Sequence, residues 1–169
     1  PVVLAGGGAL ISGAGRRLKE IVERLNLPVT LTLMGLGVFP GSDRHFLGMP
    51  GMHGTVTANH ALDEADVVLA LGVRFDDRVT NAVAKFCPKA QIVHVDIDPA
   101  SISKTVAADI PIVGDVDTVL GQMSDALEEC QADPGALAPW WEQIEQWRKI
   151  PVAEPTRPGV IAPQEVVRA

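Results

Sequence analysis

The sequence is poor in cysteine, in positive charge and in long apolar runs. Its two cysteines, Cys87 and Cys130, lie far apart and form no CxxC pair, which argues against a zinc site or a disulfide framework. No apolar run approaches the roughly 18 residues of a membrane span, so we expect no membrane partner. The net charge of -7 argues against nucleic-acid binding, because a phosphate backbone recruits Lys and Arg. These absences fit a reducing, cytosolic-type compartment, and we expect a cytoplasmic protein.

What the sequence does contain is a regular alternation of short apolar runs with amphipathic segments. Strands are predicted over residues 1–5, 27–33, 66–72, 90–98 and 110–115, and helices over residues 14–26, 55–65, 80–86 and 115–130, with a tight turn at Gly6–Gly8 and a loop over residues 34–42. Because each strand is almost wholly apolar, we expect a mostly parallel sheet covered by helices on both faces. The predicted fold class is therefore α/β, a three-layer, doubly wound, Rossmann-like sheet.

The composition changes after residue 130, and this change predicts the domain organisation. The stretch "QADPGALAP" predicts a linker, and "WWEQIEQWRKI" predicts a helix that carries all three Trp residues and packs on its own domain or a neighbouring one. We predict an α/β domain over residues 1–132, the packing Trp-rich helix within residues 133–150, and a proline-rich linker over residues 151–169. Since the chain starts without Met and ends on "IAPQEVVRA", typical of a helix start, we expect a piece of a longer protein.

The residues that follow each predicted strand are the candidates for a ligand site, because ligands of open parallel sheets bind at the carboxyl ends of the strands. Glycine lets backbone N–H groups approach a phosphate, and a carboxylate accepts hydrogen bonds from ribose hydroxyls. Both are frequent at these positions, which indicates a dinucleotide crevice built from residues 6–8, 32–35, 72–79, 96–98 and 114–115. The standard G-x-G-x-x-G fingerprint is nevertheless absent, since Ile11 stands where its third glycine belongs, and a plain tight turn explains Gly6–Gly8 equally well.

Four charged residues, Arg74, Asp76, Asp77 and Arg78, follow the predicted strand over residues 66–72. In one interpretation, an aspartate of this group caps the next helix, and the arginines are solvated or paired locally. In the other, the charges face the ligand edge, where arginine binds a carboxylate or a phosphate in bidentate fashion. The residues alone leave both interpretations open.

A second unusual stretch, "LGMPGMHG", places three glycines, two methionines and a histidine before a predicted helix. Methionine is flexible and polarizable and suits contact with a flat ring system. The helix after Gly54 offers free N–H groups for an anion. His53 alone is more typical of a structural hydrogen bond than of catalysis. The remaining histidines, His45, His60 and His94, fit no ligand spacing, so we assign no metal site to the chain.

The stretches "GMPGMHG", "GVRFDDRVT", "HVDIDPASISK" and "IPIVGDV", in this order, resemble the central domain of the catalytic subunit of the acetohydroxyacid synthase (acetolactate synthase) family. The resemblance runs from Pro1 to about Ile150 and implies the FAD/NAD-binding type of Rossmann-like domain found in thiamine-diphosphate enzymes. In this family the domain binds FAD, which has no net redox role. The resemblance places FAD contacts on Gly6, Gly7, Gly8, Thr32, Leu33, Gly51, Met52, His53, Gly72, Arg74, Asp76, Arg78, Val79, Asp96, Ile97, Gly114 and Asp115, and substrate contacts on Met52, Asp77 and Arg78.

The resemblance also implies an activity and partners. The family uses thiamine diphosphate and Mg²⁺ to decarboxylate pyruvate and joins the two-carbon unit to a second 2-ketoacid, in branched-chain amino acid biosynthesis. It implies N- and C-terminal domains of the same polypeptide, a homo-oligomer of the catalytic subunit and a small regulatory subunit. The chain departs from the family at Pro50, where leucine is common, and it lacks the catalytic glutamate and the GDG-type metal motif of the other domains. We therefore expect no catalytic residue in this chain and no activity from it alone.

Other functions are compatible with the same residues. Pyruvate oxidase and glyoxylate carboligase share the fold and FAD, although "GVRFDDRVT" favours the synthase. A freestanding nucleotide-binding regulatory module is a rival of a different class, and so is a purely structural domain with an empty crevice. Flavin absorbance of the purified chain separates the flavin-binding functions from the structural one.

Overall fold

The computed structural model describes residues 1–151, together with residues 161 and 166, so the predicted linker lies almost wholly outside the described residues. Five strands form its sheet: β1 (Val2–Ala5), β2 (Val29–Leu31), β3 (Val67–Leu71), β4 (Gln91–Asp96) and β5 (Ile110–Val113). Their order is β2-β1-β3-β4-β5, and each neighbouring pair is parallel. The predicted doubly wound sheet is confirmed, and these five strands are wholly rather than mostly parallel.

A short segment, residues 45–48, extends the sheet beyond β2 and completes a familiar strand order. Val29 N donates to His45 O and Leu47 N donates to Val29 O, both at 2.8 Å, and Val29 and Phe46 form a parallel bridge. If this segment is counted as a strand, the sheet has the order 3-2-1-4-5-6 of the dinucleotide-binding Rossmann fold. The sequence did not predict this strand, because it is too short to show an alternating pattern.

Within residues 1–151, six helices accompany the strands: α1 (Gly7–Ile11), α2 (Gly15–Leu25), α3 (Val56–Glu64), α4 (Asp77–Thr80), α5 (Val116–Glu128) and α6 (Ala138–Arg148). Two local predictions are wrong. Gly6–Gly8 is no plain turn, because Gly6 is the N-cap of α1. The helix predicted over residues 80–86 is a 3-10 turn at Val83–Lys85, since Asn81, with φ 52° and ψ -108°, ends α4 in a non-helical conformation. Within the described residues, no helix has the length and apolar character needed to span a bilayer.

Alternate residues of β1, β3 and β4 enter two separate cores, one on each face of the sheet. Val3 and Ala5 of β1 pack with residues of α2 and α5, whereas Val2 and Leu4 pack with residues of α3 and α6. All four side chains are at most 1% exposed. Successive strand residues point to opposite faces, so burial on both faces requires an unbroken apolar run. This requirement explains why the strands are so uniformly apolar in the sequence.

Helix α6 closes the amino edge of the sheet through its tryptophans. Trp140 Nε1 donates to Pro1 O at 2.9 Å, and Trp141 Nε1 donates to Asn26 O at 2.8 Å. Ile144, on the same helix, is fully buried in the core beside α3. Each of these two indoles is half-buried and satisfies its one N–H donor, which is the arrangement that a Trp packed against a core requires. The opposite, carboxyl edge has no such cover within the described residues.

Candidate functional site

A cavity of about 510 Å³ opens at the carboxyl edge, where β1, β2, β3 and β4 end. β1 and β3 are neighbours in the sheet, but the chain proceeds from β1 to β2 on one side and from β3 to β4 on the other. A crevice forms at such a reversal and is the usual ligand site of an open parallel sheet. The volume lies within the roughly 300–1,000 Å³ of small-molecule pockets.

The glycines at the floor of the crevice allow two backbones to touch. Gly6 N donates to Leu71 O at 2.9 Å, and Gly8 N donates to Gly72 O at 3.1 Å. A Cβ added at Gly8 would lie 2.7 Å from Gly72 Cα, and one added at Gly72 would lie 2.6 Å from Gly8 Cα. Gly72 also has φ +59°, which favours glycine. Gly6, Gly8 and Gly72 are therefore needed for close packing of the β1 and β3 ends, and the N–H groups of all three are already bonded within the protein.

The segment after β3 alternates between buried and exposed side chains. Val73 and Phe75 are buried at 2% and 1% exposure, whereas Arg74 and Asp76 face the cavity and solvent. Arg74 Nη2 lies 2.8 Å from Asp76 Oδ2, in an ion pair whose side chains are 73% and 51% exposed. Asp76 is the N-cap residue of α4, but its side chain makes no capping hydrogen bond. The structure therefore combines the two interpretations: the carboxylate pairs locally with Arg74, and the pair lies at the ligand edge.

The methionine- and glycine-rich loop lies against the backbone of Arg78, a residue that lines the cavity. The Arg78 side chain is exposed, lines the cavity and forms no ion pair within the described part of the chain. Gly51, with φ +95°, lies against the backbone of Arg78 and Val79, where a side chain would clash. Asn59 of α3 fixes this loop, because its amide accepts from Gly51 N at 2.8 Å and donates to Gly51 O at 3.0 Å. The loop is thus anchored beside an unpaired cation.

The segment after β4 supplies the acidic side of the cavity. Asp96 is 7% exposed, and its Oδ1 accepts from Asp98 N at 2.9 Å. Its Oδ2 accepts no hydrogen bond from the described residues; His94 Nε2, the nearest cation-forming atom, is 4.0 Å away. Asp98 accepts from Ala100 N at 2.9 Å and from Ser101 Oγ at 3.2 Å. The cavity therefore has two arginines on its β3 side and two carboxylates on its β4 side.

The predicted FAD positions divide into those that line the cavity and those that do not. The lining positions are Gly6, Gly7, Gly8, Thr32, Leu33, Gly72, Arg74, Asp76, Arg78, Val79 and Asp96. Gly51 is buried beside Arg78, whereas Met52, His53 and Ile97 are exposed outside the cavity lining. Gly114 and Asp115 follow β5; Asp115 Oδ1 accepts from Thr118 N and caps α5. The predicted substrate residue Asp77 is exposed at the start of α4, also outside the lining.

Several lining residues were not among the predicted contacts. They are Ile11, Met34, Val73, Phe75, Asp98 and Ser101. Four of them lie inside the predicted strand-exit stretches, so position along the chain was the signal that could have found them. Ile11 and Met34 are 89% and 70% exposed and form an apolar rim with Leu33. Such exposed apolar side chains at a cavity mouth suit contact with a flat, apolar ligand surface.

No three His, Cys, Asp or Glu side chains converge as a metal site among residues 1–151, 161 and 166. Burial lowers the pKa of His94, which lies directly behind the cavity wall at 0% exposure. Burial raises the pKa of the Cys87 thiol to about 12, so this thiol is inert at neutral pH. The polar groups available to a ligand are therefore the arginines and aspartates of the two strand exits.

The fold and the composition of this crevice agree with the comparison to protein families. Residues 1–123 match the family described as "Thiamine pyrophosphate enzyme, central domain", and the chain belongs to that family.

Three relatives show which enzymes of this family the chain is similar to. It is 58% identical over 150 residues to the acetolactate synthase isozyme 3 large subunit of Escherichia coli (strain K12), an alignment that covers 88% of this chain and 26% of that protein. It is 49% identical over 171 residues to the acetolactate synthase large subunit of Haemophilus influenzae, covering 100% of this chain and 30% of that protein. The probable acetolactate synthase large subunit of Methanocaldococcus jannaschii is 48% identical over 152 residues, which cover 90% of this chain and 25% of that protein. The chain thus spans between a quarter and a third of these relatives' length.

Proposed function

We propose that this chain is the FAD-binding central domain of an acetolactate synthase large subunit. The observation that carries the proposal is the crevice between β1 and β3, which brings eleven predicted FAD positions into one cavity. The high identity to acetolactate synthase large subunits over nearly the whole chain supports the enzyme class.

The residues of the cavity fit a flavin dinucleotide by their chemistry. Arg74 supplies a guanidinium group suited to binding a diphosphate, and Arg78 lines the same cavity. Asp96 retains a carboxylate oxygen without a hydrogen bond in the described chain, suited to a ribose hydroxyl. Leu33 and Met34 offer exposed apolar surface for a flat ring. Cations, a carboxylate and an apolar rim in one crevice match the three parts of a dinucleotide.

In the whole enzyme, thiamine diphosphate held with Mg²⁺ supplies the decarboxylation of pyruvate and the carboligation to a second 2-ketoacid. The task of this chain is to bind and orient. We assign Arg74 mainly to FAD, together with its partner Asp76, and Arg78 to the carboxylate of the second 2-ketoacid. Arg78 lies on α4 and has no ion-pair partner within the described residues, so its fork-shaped guanidinium is available to a carboxylate. Asp77 and Met52 belong to the same proposed substrate channel.

The proposal includes further domains of the same polypeptide, a homo-oligomer of the catalytic subunit and a small regulatory subunit. The relatives support additional domains, because the chain covers only 26% and 30% of two of them. A reducing, cytoplasmic location is consistent with the cysteines, since Cys87 and Cys130 are both free thiols.

Two binding measurements test the flavin part of the proposal. The purified chain is titrated with FAD and, in parallel, with FMN, and binding is followed by quenching of flavin fluorescence. We expect FAD to bind more tightly than FMN, because FMN lacks the adenosine half that the β4 side of the crevice would hold. We expect weak binding from the chain alone, above the nanomolar range, because in this family the flavin contacts more than one domain.

A chimera tests the enzyme class. The 150 matched residues replace their counterpart in the large subunit of Escherichia coli isozyme 3, to which they are 58% identical. We expect the purified chimera to contain FAD and to form acetolactate, whereas the 169-residue chain alone forms none with FAD, thiamine diphosphate and Mg²⁺ supplied. A folded chimera without flavin, or acetolactate formation by the isolated chain, would overturn the proposal.

The roles of the two arginines are separated in the same chimera. Arg78→Lys keeps the charge but loses the fork, so we expect weaker use of the second 2-ketoacid, by about tenfold or more, at nearly normal flavin content. Arg74→Lys should instead lower flavin content. Steady-state kinetics with varied second ketoacid and flavin absorbance give both readouts. The assignment is wrong if Arg78→Lys removes FAD while leaving the ketoacid kinetics unchanged.

A further inference from the structure

A side chain on β4 completes the hydrogen bonding of β3 where the chain leaves the sheet. Gly72 N still donates to Val95 O at 2.8 Å, but the left-handed Gly72 then turns the chain away from β4. The carbonyl of Gly72 accepts from Gly8 N at 3.1 Å, and the carbonyl after it, that of Val73, belongs to a residue only 2% exposed and needs a donor. His94 Nε2 supplies it at 2.9 Å. The imidazole therefore satisfies a buried carbonyl just beyond the end of the β3–β4 pairing.

The same imidazole supports an unusual backbone conformation. Phe75 has φ +54°, in the left-handed region that bulky residues rarely adopt, and it is 1% exposed. Its ring meets the His94 ring edge-on, with centroids 4.9 Å apart, and meets Phe86 at 5.8 Å. Such a conformation persists only where the surroundings hold it. His94 contacts both buried residues of the turn, Val73 and Phe75.

The consequence appears on the other side of the turn. Because Val73 and Phe75 are held inward, Arg74 and Asp76 are held outward, where both line the cavity. We propose that His94 is a positioning residue for this site: its bond to Val73 and its contact with Phe75 hold residues 73–76 in the form that presents Arg74 and Asp76 to a bound dinucleotide. The identity of that ligand rests on the proposed function, whereas the role of His94 in fixing the conformation of residues 73–76 does not.

The hydrogen bonds of His94 also fix its tautomer. A carbonyl only accepts, so Nε2 carries the proton and Nδ1 carries none in the neutral ring. Nδ1 is buried without a hydrogen-bond partner in the described chain, so a second proton there would have no acceptor. A neutral imidazole also leaves the nearby Asp96 carboxylate, 4.0 Å from Nε2, without an ion pair to this ring. Asp96 therefore lines the crevice without a cationic partner on β4.

Three variants of the full 169-residue chain test the inference. His94→Phe keeps a flat ring but removes the donor, and His94→Gln keeps an N–H near the same position. His45→Phe is the matched control: His45 is also buried, at 4% exposure, and is hydrogen-bonded to Asp43 and Asn26 near the opposite edge of the sheet. FAD affinity is measured by fluorescence quenching and stability by thermal unfolding.

We expect His94→Phe to weaken FAD binding by about tenfold or more, and His94→Gln to weaken it less. His45→Phe should lower the unfolding temperature without changing the affinity. An affinity for FAD that is equal in His94→Phe and wild type, with only stability reduced, would make His94 an ordinary core residue and overturn the inference.

Two readouts need no ligand and so separate this inference from the proposed function. In wild type, long-range ¹H–¹⁵N spectra should show the Nε2–H tautomer of His94. In His94→Gln and His94→Phe, amide hydrogen exchange should accelerate over residues 73–77 relative to His45→Phe. If wild type binds no FAD but these two results hold, the flavin proposal fails and the positioning role stands. An Nδ1–H tautomer, or exchange over residues 73–77 that matches the control, would reject the positioning role whatever the chain binds.

Discussion

The two edges of the sheet differ in whether their polar side chains have partners. At the amino edge, the polar groups near α6 are paired: Trp140 with Pro1, Trp141 with Asn26, and His45 with Asp43 at 2.7 Å. At the carboxyl edge, Arg78 has no ion-pair partner among the described residues, and apolar side chains such as Ile11 remain exposed.

Polar groups with hydrogen-bond partners and buried rings stabilise a fold. Unpaired charges and exposed apolar surface contribute little to stability but can contact a ligand. From this difference we expect the stability of the fold to depend mainly on the amino edge of the sheet and ligand binding to depend mainly on the carboxyl edge. Substitutions at each edge, with stability and FAD affinity measured for each, test this expectation. The following predictions run from the largest to the smallest expected effect on stability.

The largest loss of stability is expected at the amino edge, from Ile144→Ala. Ile144 of α6 is fully buried in the core against α3, so its truncation to alanine should lower the free energy of unfolding by about 2–5 kcal/mol. Urea unfolding measures the loss, and Gln146→Ala, at an exposed position of the same helix, is the control. The affinity of the folded fraction for FAD should not change. A tenfold fall in that affinity would show that the edges are not independent.

At the carboxyl edge, Gly72→Ala should affect both stability and binding. An added Cβ would meet Gly8 Cα and Ala9 N at 2.6 Å, in a residue that already has φ +59°. Left-handed strain and the backbone clash together should cost about 2–4 kcal/mol. Gly13→Ala is a matched control, because Gly13 has φ +73° but no atom lies within 4 Å of the position that its Cβ would take. If both variants lose equal stability by urea unfolding, the close packing of the β1 and β3 ends is unimportant.

Much of this architecture could be predicted from the pattern of apolar residues in the sequence. Strand burial on both faces demands apolar runs, so β1, β3 and β4 were visible in the sequence. The strand exits were predicted as the site because parallel strands end at a common edge. The order of the strands was not predicted, since residues 45–48 pair with β2 through too few residues to leave a pattern.

The geometry of the site was less predictable than its place. The left-handed Phe75 has no local signature, because its conformation depends on Phe86 and on His94 of another strand. The glycines at residues 6–8 suggested a turn or a phosphate loop, but their close approach to Gly72 involves a strand more than sixty residues away. Both features arise from tertiary contacts, which a reading of local sequence does not contain.

Acid should destabilise the amino edge through Asp43. A backbone hydrogen bond from His45, a hydrogen bond from the His45 ring and the Lys19 ammonium lower the pKa of Asp43 to about 2, against an ordinary 3.8. Since the carboxylate is favoured in the folded state, its contribution is present above pH 3.8 and is lost as the pH falls toward 2. We expect a loss on the order of 1–2 kcal/mol, measured by urea unfolding from pH 5 to pH 2. In Asp43→Asn the pH dependence should be correspondingly shallower, and an unchanged slope would contradict the assignment.

The smallest effect on stability is expected from the ion pair at the crevice, and here the comparison is sharpest. Arg74 pairs with Asp76 at 2.8 Å with side chains 73% and 51% exposed, and Arg16 pairs with Glu20 on α2 at 2.7 Å with nearly the same exposures, 74% and 52%. Exposed pairs contribute about 0–1 kcal/mol, so Arg74→Gln and Arg16→Gln should both leave urea unfolding almost unchanged. Of the two variants, only Arg74→Gln should weaken FAD binding, by about tenfold, because Arg74 lines the cavity and Arg16 does not. Equal FAD affinities in the two variants would mean that the carboxyl edge owes its binding to other groups, and Arg78 would then be the first to test.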